Sequence, residues 1–287
     1  MPNSQANDTE IVIMVISTWQ IGLEIQRETL RAVAVQRQRQ GWQLRRWWQL
    51  PVPENTFRDG AGYSSESLIE VLAPWRRELP LRHQLRVAFP SWRTLQRPVP
   101  APDNRLREPD REAYLVGSAA RQLQMLPAQL SWDYALPPQD SNAFLVTAAR
   151  RSDVEGLIHC FRKLRLFPAT LTPGASALPL LSQLCLPDTP RFLVHREADH
   201  WLWATTAQPP TWGWVDAGQA ETFADLCLHL SATPGEIALS SALPEPLPLE
   251  AKPLDAWRAL TRLQPPVPRH GGSFTVAIAL AIGRISR

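Results

Sequence analysis

Short stretches in which apolar and polar residues alternate dominate the first part of the chain. Because neighbouring side chains of a β-strand point to opposite faces, such alternation is typical of strands with one buried face. The pattern predicts three strands in succession, over Thr18–Gln26, Leu30–Gln38 and Trp42–Leu50. Ser64–Glu78 carries apolar residues at helical spacing, and a short strand, Leu85–Phe89, follows it. The chain therefore opens with a β-β-β-α-β unit of an α/β protein.

The segment from about residue 91 to 140 interrupts this pattern. It combines an extended stretch, a helix and a strand, over Thr94–Pro100, Pro109–Gln124 and Ser131–Leu136. We interpret this segment as a small inserted subdomain. The main sheet is then predicted to resume with a strand, a helix and a further strand, over Phe144–Ala149, Ser152–Leu166 and Pro168–Thr172.

The second half repeats the plan of the first. Three strands, a helix and a fourth strand are predicted over Arg191–Arg196, Trp201–Thr206, Thr211–Val215, Ala220–Leu230 and Glu236–Ser240. A helix over Leu254–Leu263 and a short apolar helix over Phe274–Ile285, which suits a buried position, follow. This repetition indicates a duplicated fold. We expect an N-terminal extension (1–17), a first domain (18–187) and a second, shortened domain (188–287).

Composition supports a globular protein of about two domains. The 287 residues are 44% hydrophobic and 20% charged, with a net charge of +3, which excludes a disordered or collagen-like chain. Three widely spaced cysteines exclude a disulfide framework and a Cys-x-x-Cys pair. The apolar run Ile11–Ile16 is too short for a membrane span and lacks the flanks of a signal peptide. We therefore expect a cytoplasmic protein.

The sequence has no motif of nucleophilic or metalloprotease chemistry. It contains no Gly-x-Ser-x-Gly, no His-Glu-x-x-His and no Walker loop. His195, Asp199 and His200 could hold a metal ion across a tight hairpin, but ordinary turn chemistry is favoured.

Four tryptophans of the second half raise the question of base stacking. Trp201 with Trp203, and Trp212 with Trp214, are predicted to share one face of neighbouring strands and to form an aromatic ladder. Packing against a helix is the favoured interpretation. A platform that stacks the bases of single-stranded DNA is the alternative, and the net acidic charge of the second half speaks against it. We expect no direct nucleic-acid binding.

Several segments point to a known family by their order and spacing. They are Trp19–Ile25, Ala88–Ser91, Thr94–Arg97, Asp133–Tyr134 and Val276–Gly283, together with Trp201–Thr205. In these segments the sequence resembles the PilM family of type IV pilus and DNA-uptake proteins, and is most similar to its shorter HofM branch.

The resemblance implies a fold, a partner and a location. The fold would be actin-like, of the FtsA type, with two domains and the insertion at about 91–140 as the family's extra subdomain. PilM proteins bind the N-terminal cytoplasmic tail of a PilN-like membrane protein, here one similar to HofN. They do so at the cytoplasmic side of the inner membrane. The chain would thus be a peripheral, non-enzymatic scaffold, and self-association into a homo-oligomer is left open.

The same resemblance places the partner tail in a groove between the first sheet and the inserted subdomain. Its expected walls are the extended segment Thr94–Arg97 and the strand Ser131–Tyr134. An extended segment between prolines exposes backbone hydrogen-bonding groups, and arginines can hold peptide carbonyls or a carboxylate. The predicted partner-binding residues are Arg93, Leu95, Arg97, Asp133 and Tyr134.

An actin-like nucleotide site needs small residues beside the phosphates and carboxylates near the metal. The corresponding positions here are Gly22, Glu24, Gln26, Glu197, Ser240 and Ser241. Gln26 stands where the backbone should approach phosphate closely, and two serines replace the expected Gly-Gly turn. This pattern favours a degenerate pocket without a cofactor. The alternative is a weak ATPase in which Glu24 or Glu197 helps to hold Mg²⁺.

Overall fold

The computed structural model describes residues 18–58, 62–63, 65–103, 105–136 and 142–283. The predicted N-terminal extension (1–17) and the end of the predicted helix Phe274–Ile285 lie outside these residues. Within the described ranges, no helix is long and apolar enough to cross a membrane.

Strands and helices alternate along both halves. The elements of the first half are β1 (Trp19–Ile25), β2 (Thr29–Gln38), β3 (Gly41–Pro51), β4 (Phe57–Arg58), β5 (Gly62–Tyr63), α1 (Ser65–Glu78), β6 (His83–Phe89), β7 (Thr94–Pro100), α2 (Asp110–Gln122), β8 (Leu130–Ala135), β9 (Ala143–Arg150), α3 (Arg151–Lys163), β10 (Pro168–Pro173), α4 (Gly174–Ala177) and α5 (Ser182–Cys185). Those of the second half are β11 (Phe192–Arg196), β12 (His200–Thr205), β13 (Trp212–Asp216), α6 (Phe223–His229), β14 (Ile237–Ser241), β15 (Lys252–Pro253), β16 (Leu260–Arg262) and α7 (Thr275–Ile282).

The first main sheet has the strand order β10-β6-β1-β2-β3-β16. β1, β2 and β3 form an antiparallel meander, while β6 runs parallel to β1 and β10 runs parallel to β6. The helices α1 and α3 cover one face, where Ile21, Leu68 and Phe161 belong to one buried cluster. The central strands are covered on both faces, which explains their nearly continuous apolar runs.

The second main sheet repeats this order as β13-β12-β11-β14-β15. Its first three strands are again antiparallel neighbours, and β14 runs parallel to β11. The helix α6 covers one face through Leu226, which is buried in the cluster of this half. Each sheet therefore places its third, second, first, fourth and fifth strand side by side, and the predicted duplication of the β-β-β-α-β plan is confirmed.

The apolar helix α7 lies in the core that the two halves share. All of its residues are buried, and it packs directly on β1. Gly22 permits this approach, because a Cβ there would lie 2.8 Å from the nitrogen of Ala281 and closer still to the carbonyl of Ala277. Nη1 of Arg86 donates to the carbonyls of Leu280 and Ala281 at 3.0 Å each. These bonds satisfy carbonyls that the last helical turn leaves unpaired.

The inserted subdomain is a three-stranded sheet of order β7-β9-β8, with α2 packed on it. β9 was expected in the main sheet, but it is the central strand of the inserted one. Its apolar residues Phe144 and Val146 are buried with Leu115 of α2, whereas the fifth place in the main sheet belongs to β10. The insertion therefore extends to Arg150 rather than to residue 140.

A second difference concerns the predicted helix Leu254–Leu263. This segment forms a 3₁₀ turn over Ala256–Ala259 followed by β16, which pairs with β3. The hydroxyl of Thr261 donates to the carbonyl of Trp42 at 3.1 Å. Pairing with a strand more than 200 positions away overrides the local helical pattern.

Candidate functional site

The turns after β1 and β11 face each other between the two halves. The first is closed by the bond from Gln26 N to the carbonyl of Thr29, and the second by the bond from Glu197 N to the carbonyl of His200, both 2.9 Å long. β1 and β11 are the corresponding first strands of the two sheets. The duplication therefore brings the predicted carboxyl groups of Glu24 and Glu197 close to one another.

A buried arginine of β2 joins these two carboxyl groups. Nη1 of Arg31 donates to Oε1 of Glu197 at 2.7 Å and lies 4.0 Å from Oε2 of Glu24. Oε1 of Glu197 also lies 2.9 Å from Nε2 of His195, and Nδ1 of that histidine lies 2.8 Å from the hydroxyl of Ser240. Polar contacts thus run from the first half to the end of β14.

The two carboxyl groups differ in their protonation. Burial, with the nearby charge of Glu197, raises the pKa of Glu24 to about 8 against the opposing effects of Arg31 and Gln26, whose amide donates to it at 2.7 Å. Burial alone would also raise the pKa of Glu197, but the hydrogen bond and charge of His195 and the charge of Arg31 lower it. At neutral pH Glu197 is therefore ionised, and Glu24 keeps its proton.

Little free space remains beside this cluster. A cavity of about 10 Å³ lies between Gln26, Trp92 and His200, and Glu24 and Ser91 line it as well. A cavity needs roughly 10–15 Å³ to hold one water molecule. The space between the two turns is thus filled by the protein's own side chains, with the Arg31 guanidinium between the two carboxyl groups.

Two of the residues predicted for the nucleotide pocket have structural roles instead. Gly22 faces α7 rather than the cleft, so its missing side chain serves helix packing instead of phosphate approach. Ser241 accepts a hydrogen bond from the backbone of Leu243 at 3.0 Å, and its carbonyl lies against Gly272.

The predicted metal alternative at the second turn does not assemble. His195 is directed to Glu197 and Ser240, while Nδ1 of His200 lies 2.5 Å from Oδ1 of Asp199. In the described part of the chain, no group of three or more histidine, cysteine or acidic side chains is placed to hold a metal ion.

A larger groove opens between the β1–β2 turn and the inserted subdomain. Its volume is about 730 Å³, within the usual range of ligand sites. Apolar side chains from the subdomain and charged side chains both line it. The lining residues are Arg27, Glu28, Glu54, Trp92, Arg93, Leu95, Leu123, Met125, Leu130, Ala148, Ala149, Arg150 and Asp153.

Two of the five predicted partner-binding residues line this groove. They are Leu95, which is 38% exposed, and Arg93, whose Nη1 lies 2.8 Å from Oδ2 of Asp153. The predicted walls Thr94–Arg97 and Ser131–Tyr134 lie on either side of β9 in one sheet, so they do not face each other.

The other three predicted residues lie outside the groove. Arg97 is exposed and donates to the carbonyl of its neighbour Gln96. The exposed Asp133 accepts from the backbone nitrogen of Tyr134. The ring of Tyr134 packs in the subdomain core, and its hydroxyl donates to Glu108 at 3.1 Å.

Sequence reasoning missed Arg31 and most of the groove. Arg31 had a detectable signal, since it is a lone charge in the apolar run of β2. Trp92 directly follows the Ala88–Ser91 segment that carried the family resemblance. Met125 and Arg150 had no signal, because they reach the groove only through the packing of the inserted sheet.

The predicted tryptophan ladder is wrong. In the observed register Trp203 lies opposite Gly213, and Trp214 lies opposite Leu202, so the two tryptophan pairs occupy opposite faces of the sheet. Trp201 is buried and donates its indole N–H to the carbonyl of Ala220 at 2.7 Å. These side chains pack the core, as the favoured interpretation had it, and they offer no common stacking surface.

No family model matches the chain. A curated relative does: the chain is 36% identical over 271 residues to the DNA utilization protein HofM of Escherichia coli strain K12. The alignment covers 94% of this chain and 99% of that protein.

Two solved structures share the fold. One is from the PilM-PilN type IV pilus biogenesis complex, with a TM-score of 0.66, 16% identity, and coverage of 91% of this chain and 97% of that one. The other is the cytoplasmic domain of EpsL, an inner membrane component of the type II secretion system of Vibrio cholerae. Its TM-score is 0.57 at 12% identity, with coverage of 92% and 93%. With the duplicated sheets, these likenesses confirm the predicted actin-like α/β fold.

Proposed function

Because the chain belongs to the family of the DNA utilization protein HofM, we propose that it is a non-catalytic scaffold of a type IV pilus-like DNA-uptake assembly. In this proposal it binds the N-terminal cytoplasmic tail of a PilN-like, HofN-like protein of the inner membrane. That contact holds it at the cytoplasmic face of the membrane. The likeness to the PilM chain of a PilM-PilN complex supports this choice of partner.

The observation that carries the proposal is the groove of about 730 Å³ beside the inserted subdomain. Its apolar part consists of residues from β7, β8, β9 and the segment that follows α2, including Leu95, Leu130 and Met125. Burial of the apolar side chains of an extended tail there would stabilise the complex, while the charged lining residues would orient the tail. A groove of this kind fits a short peptide better than a folded partner.

The test uses a labelled synthetic peptide with the sequence of the N-terminal cytoplasmic tail of a HofN-like protein. Leu95→Arg should weaken its binding at least about tenfold, or roughly 1.4 kcal/mol, because it places a charge on the apolar part of the groove. Leu81→Arg is the control, since Leu81 is 93% exposed and does not line the groove. Equal affinity of a folded Leu95→Arg variant and wild type would refute the proposed site.

The second part of the proposal is that the scaffold works without bound nucleotide. Arg31 supplies a cation between Glu24 and Glu197, where a nucleotide's metal ion would be needed, and the adjoining cavity of about 10 Å³ has no room for phosphates. Calorimetry with Mg-ATP should therefore show no binding in the low micromolar range. Binding in that range would restore the weak ATPase alternative.

A further inference from the structure

Four side chains form a closed ring of contacts between the groove and the second half. Nε of Arg27, in the β1–β2 turn, lies 3.1 Å from Oδ2 of Asp199. The other oxygen of Asp199 lies 2.5 Å from Nδ1 of His200. The His200 ring meets the ring of Trp92 edge-on at 5.0 Å, and the Arg27 guanidinium lies 5.6 Å from the centre of the same indole.

The ring spans two regions of the molecule. Arg27 and Trp92 line the large groove, whereas Asp199 and His200 belong to the β11–β12 hairpin of the second half and do not line it. Trp92 and His200 also line the small cavity between the halves. One wall of the groove is therefore held in place by a hairpin that the groove's ligand would not touch.

Asp199 is the member of the ring that fixes the others. His200 is only 3% exposed, and its Nε2 has no hydrogen-bond partner among the described residues, so Asp199 provides the hydrogen bond that orients its ring. The hydrogen bond from His200, and then the charges of His200 and Arg27, lower the pKa of Asp199, which keeps it ionised at neutral pH. Without this carboxylate, the long Arg27 side chain would regain its rotamer freedom.

We propose that Asp199 and His200 are positioning residues of the partner groove: they hold Arg27 and Trp92 in the arrangement that receives the tail. This inference rests on the proposed function, because it assumes that the tail binds in this groove. It follows that the partner site is complete only when both halves of the chain are present. A preorganised wall favours binding because less conformational entropy is lost when the tail docks.

The experiment measures the affinity of the same labelled tail peptide for full-length variants. Asp199→Ala should weaken binding about fivefold, the upper range for an exposed ion pair. Arg27→Ala should weaken it at least as much, and the double variant should lose less affinity than the two single effects combined, because Asp199 acts in part through Arg27. Glu236→Ala is the matched control, because it also breaks an exposed ion pair with an arginine, Arg191, at 3.6 Å. The side chains of Arg191 and Glu236 are 55% and 39% exposed, close to the 57% and 44% of Arg27 and Asp199.

A second measurement separates positioning from general stability. The indole N–H resonance of Trp92, assigned by loss in Trp92→Phe, should shift in Asp199→Ala and Asp199→Asn but stay unchanged in Glu236→Ala. Wild-type affinity in both Asp199 variants, or additive effects in the double variant, would overturn the inference. If wild type did not bind the peptide, the proposed function itself would fail, and if Leu95→Arg bound it like wild type, only the proposed site would fail. If only Leu95→Arg lost binding, the proposed function would hold, but the ring would play no part in it.

Discussion

Replacing Gly22 with alanine adds one methyl group where α7 packs closely on β1. The new Cβ would lie 2.8 Å from the backbone nitrogen of Ala281, 2.9 Å from Cβ of Leu280 and closer still to the carbonyl of Ala277. Two of these three atoms belong to the backbone of α7, so a change of side-chain rotamer cannot make room. Either β1 or the whole helix must move.

The expected loss of folding stability follows from that rigidity. Inserting a methylene group into a packed core typically costs 1–3 kcal/mol. The high end applies here because a shift of α7 would also strain the bonds from Arg86 to its last carbonyls. A loss of about 3 kcal/mol should lower the melting temperature by roughly 6–12 °C for a chain of this size.

Thermal unfolding followed by circular dichroism provides the measurement. Gly117→Ala and Gly156→Ala are matched controls, because both glycines are inside helices and a Cβ there would meet nothing within 4 Å. These variants should be more stable than wild type by about 0.5–1 kcal/mol, since alanine has a higher helix propensity than glycine. If Gly22→Ala melted within about 1 °C of wild type, the close packing of α7 on β1 would be refuted.

Titration and the charged residues give further predictions. Glu24 has a pKa of about 8 in the folded protein and an ordinary value of 4.5, so between these pH values the folded state holds a proton that the unfolded state has lost. The free energy of unfolding of wild type therefore falls as pH rises through that window. The stability advantage of Glu24→Gln over wild type should therefore grow across it, as melting at several pH values would reveal; a constant difference would contradict this. Glu197→Gln should cost about 3 kcal/mol at neutral pH in urea unfolding, because Arg31 loses its ionised partner. Arg93→Ala should cost about 2 kcal/mol, since it removes the ion pair with Asp153, while Arg97→Ala should stay within about 0.5 kcal/mol of wild type.

The sequence predicted those parts of the fold whose signals are local. The meander of β1, β2 and β3 follows from alternation and a short turn, and the second half repeats the same signals. β9 and β16 were misjudged because the choice of a strand's neighbours depends on residues far away in the chain. The Phe144–Ala149 pattern predicts a strand equally well in either sheet.

The residues of the candidate sites also divide into those that the sequence pattern could predict and those that depend on distant packing. Glu24, Glu197 and Ser240 lie near one another, because duplication places corresponding strand ends against each other. Gly22 could not be distinguished from a phosphate-site glycine, since its neighbour is a helix about 250 residues later in sequence. The groove residues Met125 and Arg150 are brought together only by the packing of the inserted subdomain.

The burial of α7 has a consequence for how the protein is made. β1 is among the earliest strands to leave the ribosome and α7 is the last helix described, yet they pack against each other. Contacts between such distant segments form late in folding, because a long loop must close first. One face of the first sheet therefore remains uncovered until synthesis has passed α7. The two halves, although built on one plan, share α7 in one core, and a first half produced alone would expose the apolar surface that α7 covers.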